Sequence, residues 1–133
     1  MFGSDYYDHY GSAAKYAAAL GKTIQTARLD EGRDRLELRF TDGTGIEIWD
    51  DAQSCCEHRY MTTDYTLSDF DGAVFLGAEI KDGPSIEDNW ECHDVQFLEI
   101  KTSVGEFVMA THNEHNGYYG GFIMRVTDLA GDN

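Results

Sequence analysis

One proline, three cysteines and ten basic residues are all that 133 positions contain of these types. Each scarcity excludes something. With Pro84 alone and no low-complexity tract, the chain lacks the material of a flexible multi-domain layout. Cys55 and Cys56 are adjacent and Cys92 stands apart. Neighbouring residues do not bridge readily and the count is odd, so the three make a poor disulfide framework and reduced thiols in a cytoplasmic setting are expected. No run approaches the roughly 18 apolar residues of a membrane span, and Met1 to Leu20 lacks the basic start and apolar run of a secretion signal. Against 25 Asp and Glu, ten bases leave a formal charge of −15 with histidine neutral. Affinity for nucleic acid comes from Lys and Arg that displace phosphate counterions, so direct nucleic-acid binding is disfavoured, and an anionic membrane is disfavoured likewise.

What is present is a folded composition: 41% hydrophobic and 13% aromatic, too rich for an acidic disordered tail. The length suits one domain. Residues 1–21 read as a Tyr- and Asp-rich lead followed by a short helix, with Ser12 as N-cap and Gly21 as its stop. Residues 22–133 read as a single β-rich domain, because runs of β-branched and aromatic residues alternate with Asp-Gly, Gly-Pro and Asn-Gly punctuation. Leu36, Leu38 and Phe40 alternate, then Ile46 and Ile48. A three-residue Thr41-Asp42-Gly43 loop with Gly43 left-handed brings Leu38 opposite Ile46 and puts both apolar sets on one face. Val74, Leu76, Ala78 and Ile80 predict another one-sided strand. Val95 to Thr102 and Glu106 to Thr111 predict a hairpin, and Tyr118 to Val126 a last strand. Thr66 to Phe70 reads as one helical turn capped by Thr66, and Asp82 to Glu91 as an acidic loop. The expected fold class is α+β: a mainly antiparallel β-sheet of about six or seven strands with a short N-terminal helix.

Three clusters stand outside this pattern. The first runs from Asp50 and Asp51 through Cys55, Cys56 and Glu57 to His58 and Tyr60, and offers thiols, carboxylates and an imidazole for a nucleophile or ligand set. Buried apolar cysteines beside turn-capping aspartates account for it more simply. The second holds His112, Asn113, Glu114, His115, Asn116, Tyr118 and Tyr119 and reads as a polar loop or bend. Its His-x-x-His spacing outside a helix, without a Cys-x-x-Cys pair, is a poor zinc signal, so no metal and no other cofactor is expected. Asn, His and Tyr beside glycines suit recognition of a polar ligand or a partner surface. The third is the acidic set Asp82, Glu87, Asp88, Glu91 and Asp94. From Asp82 onward ten acids face only Lys101 and Arg125, so eight of the fifteen excess charges lie there. Such a field steers a basic partner, although acidic surfaces also serve plain solubility.

No phosphate-cradling glycine loop, no Gly-x-Ser-x-Gly elbow, no His-Glu-x-x-His and no dinucleotide fingerprint occurs, so binding is favoured over catalysis. The best nucleophilic pairing open to the chain is Cys55 or Cys56 with His112 or His115. The strings Asp50 to Asp64 and His112 to Gly121 resemble those of a family of small proteins from bacteriophages, prophages and plasmids, the domain of unknown function DUF7448. The likeness runs roughly from Gly21 to Phe122, and Ala52 stands where the family usually carries glycine. That family brings no established activity. The resemblance implies a phage accessory protein that binds a host protein with a basic surface, such as a nucleic-acid-binding or defence complex. Two alternatives accompany it: a nucleotide-type ligand or catalytic pocket built from the first two clusters, and a virion or assembly component that forms a homo-oligomer.

Overall fold

Period-two burial governs most of the chain in the computed structural model, which describes residues 12–32, 34–52, 58–88, 91–115 and 122–129. Strand β1 is Ile24–Leu29, β2 Arg35–Phe40 and β3 Gly45–Asp50. β2 and β3 each bury every second residue, and Leu38 stands opposite Ile46 and Leu36 opposite Ile48. The Thr41–Gly43 loop is as expected: the Phe40 N–H donates to the Thr44 carbonyl at 2.8 Å, and Gly43 has φ +90°. That backbone is open to glycine at little cost.

The remaining strands are β4 (His58–Thr62), β5 (Phe75–Asp88), β6 (Glu91–Thr102), β7 (Gly105–His115) and β8 (Met124–Asp128). They form two four-stranded sheets in place of a single one, with orders β1-β2-β3-β8 and β4-β7-β6-β5, and every pairing is antiparallel. Their apolar faces meet in one core, with Leu36, Leu38, Phe40 and Ile48 from the first sheet and Met61, Phe75, Leu98, Ile100, Phe107 and Met109 from the second. One sheet of alternating strands would have left its apolar face for an eight-residue, alanine-rich helix to cover. Two sheets cover each other.

That helix, α1 (Ser12–Ala19), joins both layers. The Ser12 hydroxyl accepts the Val126 N–H of β8 at 3.0 Å, and the Tyr16 hydroxyl accepts the Ala78 N–H of β5 at 3.1 Å. The Tyr16 ring also meets Phe75 edge-on at 6.0 Å.

Several expectations need correction. In β5 a register shift between Phe75 and Gly77 inverts the phase, so Phe75 is fully buried while Leu76 is 57% exposed. Residues 82–88 are strand, not loop: β5 continues past a second irregularity between Asp82 and Ser85 and keeps pairing with β6 as far as Asp88 opposite Glu91. Gly83 fits that irregularity because a Cβ there would lie 2.7 Å from the Val95 carbonyl oxygen. The turn at Leu67–Phe70 is a 3-10 helix, and the Thr66 side chain makes no capping hydrogen bond. Residues 111–115 of the predicted polar bend belong to β7, and the last strand is Met124–Asp128 in place of Tyr118 to Val126, of which residues 118–121 lie outside the described residues.

Candidate functional site

β7 pairs with β4 on one side and β6 on the other, so one end of the second sheet gathers residues far apart in sequence. His58 faces Glu114, Arg59 faces Asn113 and Tyr60 faces His112. On the other side His93 faces Glu114, Asp94 faces Asn113 and Cys92 faces His115. Alternate residues point to opposite faces of a sheet. The second cluster is therefore divided: His112 and Glu114 point outward, while Asn113 and His115 point between the sheets and are buried. His112 and His115 consequently share no ligand.

The outward face is a ladder of rings. Tyr60 stacks on His112 with centroids 4.6 Å apart and planes 9° from parallel, and His58 leans on Tyr60 at 4.9 Å. His112 Nδ1 lies 2.9 Å from His93 Nε2 and its Nε2 lies 2.8 Å from Thr62 Oγ1. One imidazole must donate and the other accept, so this pair is satisfied with neutral rings. Burial, then the neighbouring His93, hold the His112 imidazole below its ordinary value, against the pull of Glu114. The Tyr60 hydroxyl donates to Glu114 Oε2 at 2.5 Å, and this bond, with burial, pushes the phenol up to about 12. Beyond Thr62 the face dips into a hollow of about 100 Å³ lined by Tyr65, Phe97, Val108 and Ala110 among others.

The inward face at the same end is polar where the rest of the interior is apolar. Arg59 Nη1 donates to Asp50 Oδ2 at 2.6 Å, with side chains only 5% and 3% exposed. Asp50 Oδ1 in turn accepts the N–H groups of Ala52 and Ile123. Asp50 thus ties the end of β3 to β4 and to the approach to β8, a structural use. Asp51 pairs with Arg125 at 3.2 Å nearer the surface. His115 Nε2 lies 2.8 Å from Asp94 Oδ2, and Ser85 donates to the other oxygen of that carboxylate at 2.5 Å. Asp94 is therefore a partly buried partner of His115, set apart from the acidic surface to which it was assigned. Of that surface set, Asp82 is exposed on β5, and Glu87, Asp88 and Glu91 follow on the β5–β6 arm.

Cys55, Cys56, Glu57, Asn116, Tyr118 and Tyr119 lie outside the described residues. The described flanks of their segments nevertheless adjoin, since His58 opens β4 opposite Glu114 near the end of β7. Among the described residues no group of three or more His, Cys, Asp and Glu is placed to hold a metal ion. Thr62 was missed as a site residue; its signal was the spacing of two in His58, Tyr60 and Thr62.

A family model described as a domain of unknown function, DUF7448, matches residues 17–124. The chain belongs to the DUF7448 family. The matched span starts inside α1 and ends where β8 begins, so within this DUF7448 chain it takes in both polar clusters and seven of the strands in full. No curated protein and no solved structure matches the chain. No described helix is long and apolar enough to cross a membrane.

Proposed function

We propose that this protein acts by binding a partner with a basic surface, and that the outward face at the end of β4, β7 and β6 is where it binds. The observation that carries this is convergence. The polar clusters and the acidic arm read as separate clues in the sequence, yet Glu91 to Asp94 begin β6 beside the last residues of β7, which in turn stand beside the first residues of β4. Stacked Tyr60 and His112, the Glu114 carboxylate and the hollow beside Thr62 then form a surface of rings with a carboxylate set beside them. Aromatic rings supply rigid contact area, and the excess negative charge of the chain steers encounter and penalises acidic competitors. In the phage setting implied by the resemblance, the partner is a host protein, for example one whose basic surface ordinarily contacts nucleic acid.

Affinity capture from a bacterial host extract tests this, with wild type beside a Tyr60→Ala, Glu114→Gln double variant. A basic protein is expected to be retained at low salt by wild type only and to elute as salt rises. Retention that is indifferent both to salt and to the double variant would overturn the reading, as would retention of no basic protein.

A further inference from the structure

The outward face holds one arrangement that partner binding does not use: a hydroxyl and two imidazoles joined in series beside a hollow. Thr62 stands two residues after Tyr60 on β4, and Tyr60 is directly opposite His112 on β7, so Thr62 and His112 are diagonal neighbours on one face. Their side chains meet, with Thr62 Oγ1 2.8 Å from His112 Nε2. The other nitrogen of the same ring, Nδ1, lies 2.9 Å from His93 Nε2 of β6. Tyr60, stacked on His112 at 4.6 Å, fixes the plane of that ring. Thr62 also belongs to the wall of the hollow, where the small Ala110, directly opposite both Thr62 and Phe97, leaves room between them. The next residue gives a contrast. The Thr63 hydroxyl donates to the Val108 carbonyl at 2.8 Å and serves to hold the chain. A carbonyl accepts a hydrogen bond but does not take the proton; an imidazole nitrogen can do both.

We propose that Thr62 is a nucleophilic hydroxyl for small esters, with His112 as its general base and His93 as the residue that positions the imidazole. Two tautomers satisfy the pair of rings. In the reactive one His112 Nδ1 donates to His93 Nε2, which leaves His112 Nε2 to accept the Thr62 proton. Thr62 Oγ1 forms a bond to the ester carbonyl carbon as that proton passes to Nε2. The bond from the same carbon to the leaving oxygen then breaks, and the alcohol departs with the electron pair and the proton from Nε2. Water, deprotonated by the same nitrogen, cleaves the acyl-threonine, and the hydroxyl recovers its proton. Burial and His93 hold His112 below its ordinary value, so the ring is neutral and free to take a proton near pH 7, while Glu114 attracts the imidazolium as it forms. The other titratable groups around it are Tyr60 and His58 on β4, Asp64 at the hollow, and the Lys81–Glu99 pair beside Phe97. A hollow of about 100 Å³ walled by Tyr65, Phe97, Val108 and Ala110 suits a short apolar acyl group such as acetyl. The charge of −15 disfavours anionic esters. Sequence reading paired a histidine of this strand with Cys55 or Cys56 as nucleophile. The register brings Thr62.

This chemistry needs no partner, so it is read on the isolated chain, and its failure leaves the binding surface standing. The probe is 4-nitrophenyl acetate, a small ester with a good leaving group. After timed acid quenching, trypsin releases Tyr60 to Lys81 as one fragment, and fragmentation in the mass spectrometer tells an acetyl group on Thr62 from one on Thr63. Thr62 is expected to be acetylated about a hundredfold faster than Thr63. Its rate should rise between about pH 5 and pH 8 and level off, with a midpoint below the roughly 6.5 of a free imidazole. His112→Gln is expected to slow it about a hundredfold. His93→Gln keeps an acceptor for Nδ1 and should retain most of the rate, whereas His93→Leu frees the ring and should lose about tenfold. Wild-type protein in which Thr62 is labelled no faster than Thr63 overturns the proposal whether or not any variant folds. So do a folded His112→Gln protein that labels at the wild-type rate, and equal rates in the two His93 variants.

Discussion

At the scale of single residues, two neighbouring aspartates show how burial sets the worth of a charge. Asp50 is ion-paired with Arg59 in the interior and also accepts two backbone N–H groups, while Asp51 meets Arg125 with 27% of its side chain exposed. Removing one partner of a buried pair strands the other charge without water, at about 3 to 5 kcal/mol. A surface pair contributes about 1 kcal/mol or less. Asp50→Asn is therefore expected to lower the urea midpoint severely and Asp51→Asn scarcely at all; equal effects would mean Arg59 finds other compensation. His112 carries a second expectation. Its folded value is depressed, so it contributes stability that is fully present above the unfolded value near 6.5 and is lost as pH falls through the folded value. Urea unfolding should show stability falling from about pH 7.5 to about pH 5, with a smaller fall in His112→Gln. An identical fall in both proteins would remove His112 as the cause.

At the scale of elements, local patterns were legible and long-range placement was not. The β2–β3 hairpin was readable to the residue, because alternation and a left-handed Gly43 leave one register with all of Leu36, Leu38, Ile46 and Ile48 on the same side. The β6–β7 hairpin was readable in its middle, Val95 to Thr111, and unreadable toward His115, since a strand whose two faces carry His, Asn and Glu has no apolar alternation to display. β4 was hidden for the same reason, with only Met61 fully buried and apolar within it. In β5 the register shift at Phe75 defeats counting by two: Val74, Leu76, Ala78 and Ile80 look one-sided, yet an extra residue in the pairing puts Phe75 inward instead. The partition into two sheets has no local signature at all. Nothing in the order of strands announces that β8 joins β3, a pairing that reunites Ile48 with Val126 across most of the chain. The candidate site depended on that long-range information too, because only the β4–β7–β6 register brings Tyr60, His93 and His112 together.

For the whole molecule, the charge of −15 acts on stability and on binding with opposite signs. Lys15, Lys22, Arg28, Arg35, Arg59, Lys81, Lys101 and Arg125 each already pair with a carboxylate. Most of the cationic charge is therefore committed within the fold, and the excess of acids repels itself across a small surface. Repulsion of this kind is relieved by unfolding, and mobile ions screen it once the Debye length falls below the spacing of surface charges. Raising salt from about 20 mM to about 500 mM, where that length shrinks severalfold, should accordingly raise the thermal midpoint of the isolated protein. The same screening weakens attraction to a basic partner, so the apparent affinity of a captured complex should fall over the same range, chiefly through a slower association rate. Scanning calorimetry of the free protein and surface plasmon resonance of the complex, run in matched buffers, read the two slopes. A thermal midpoint that falls with added salt would mean that the surface ion pairs outweigh the self-repulsion, and affinity that is flat across the range would leave the stacked rings, rather than the negative charge, as what holds the partner.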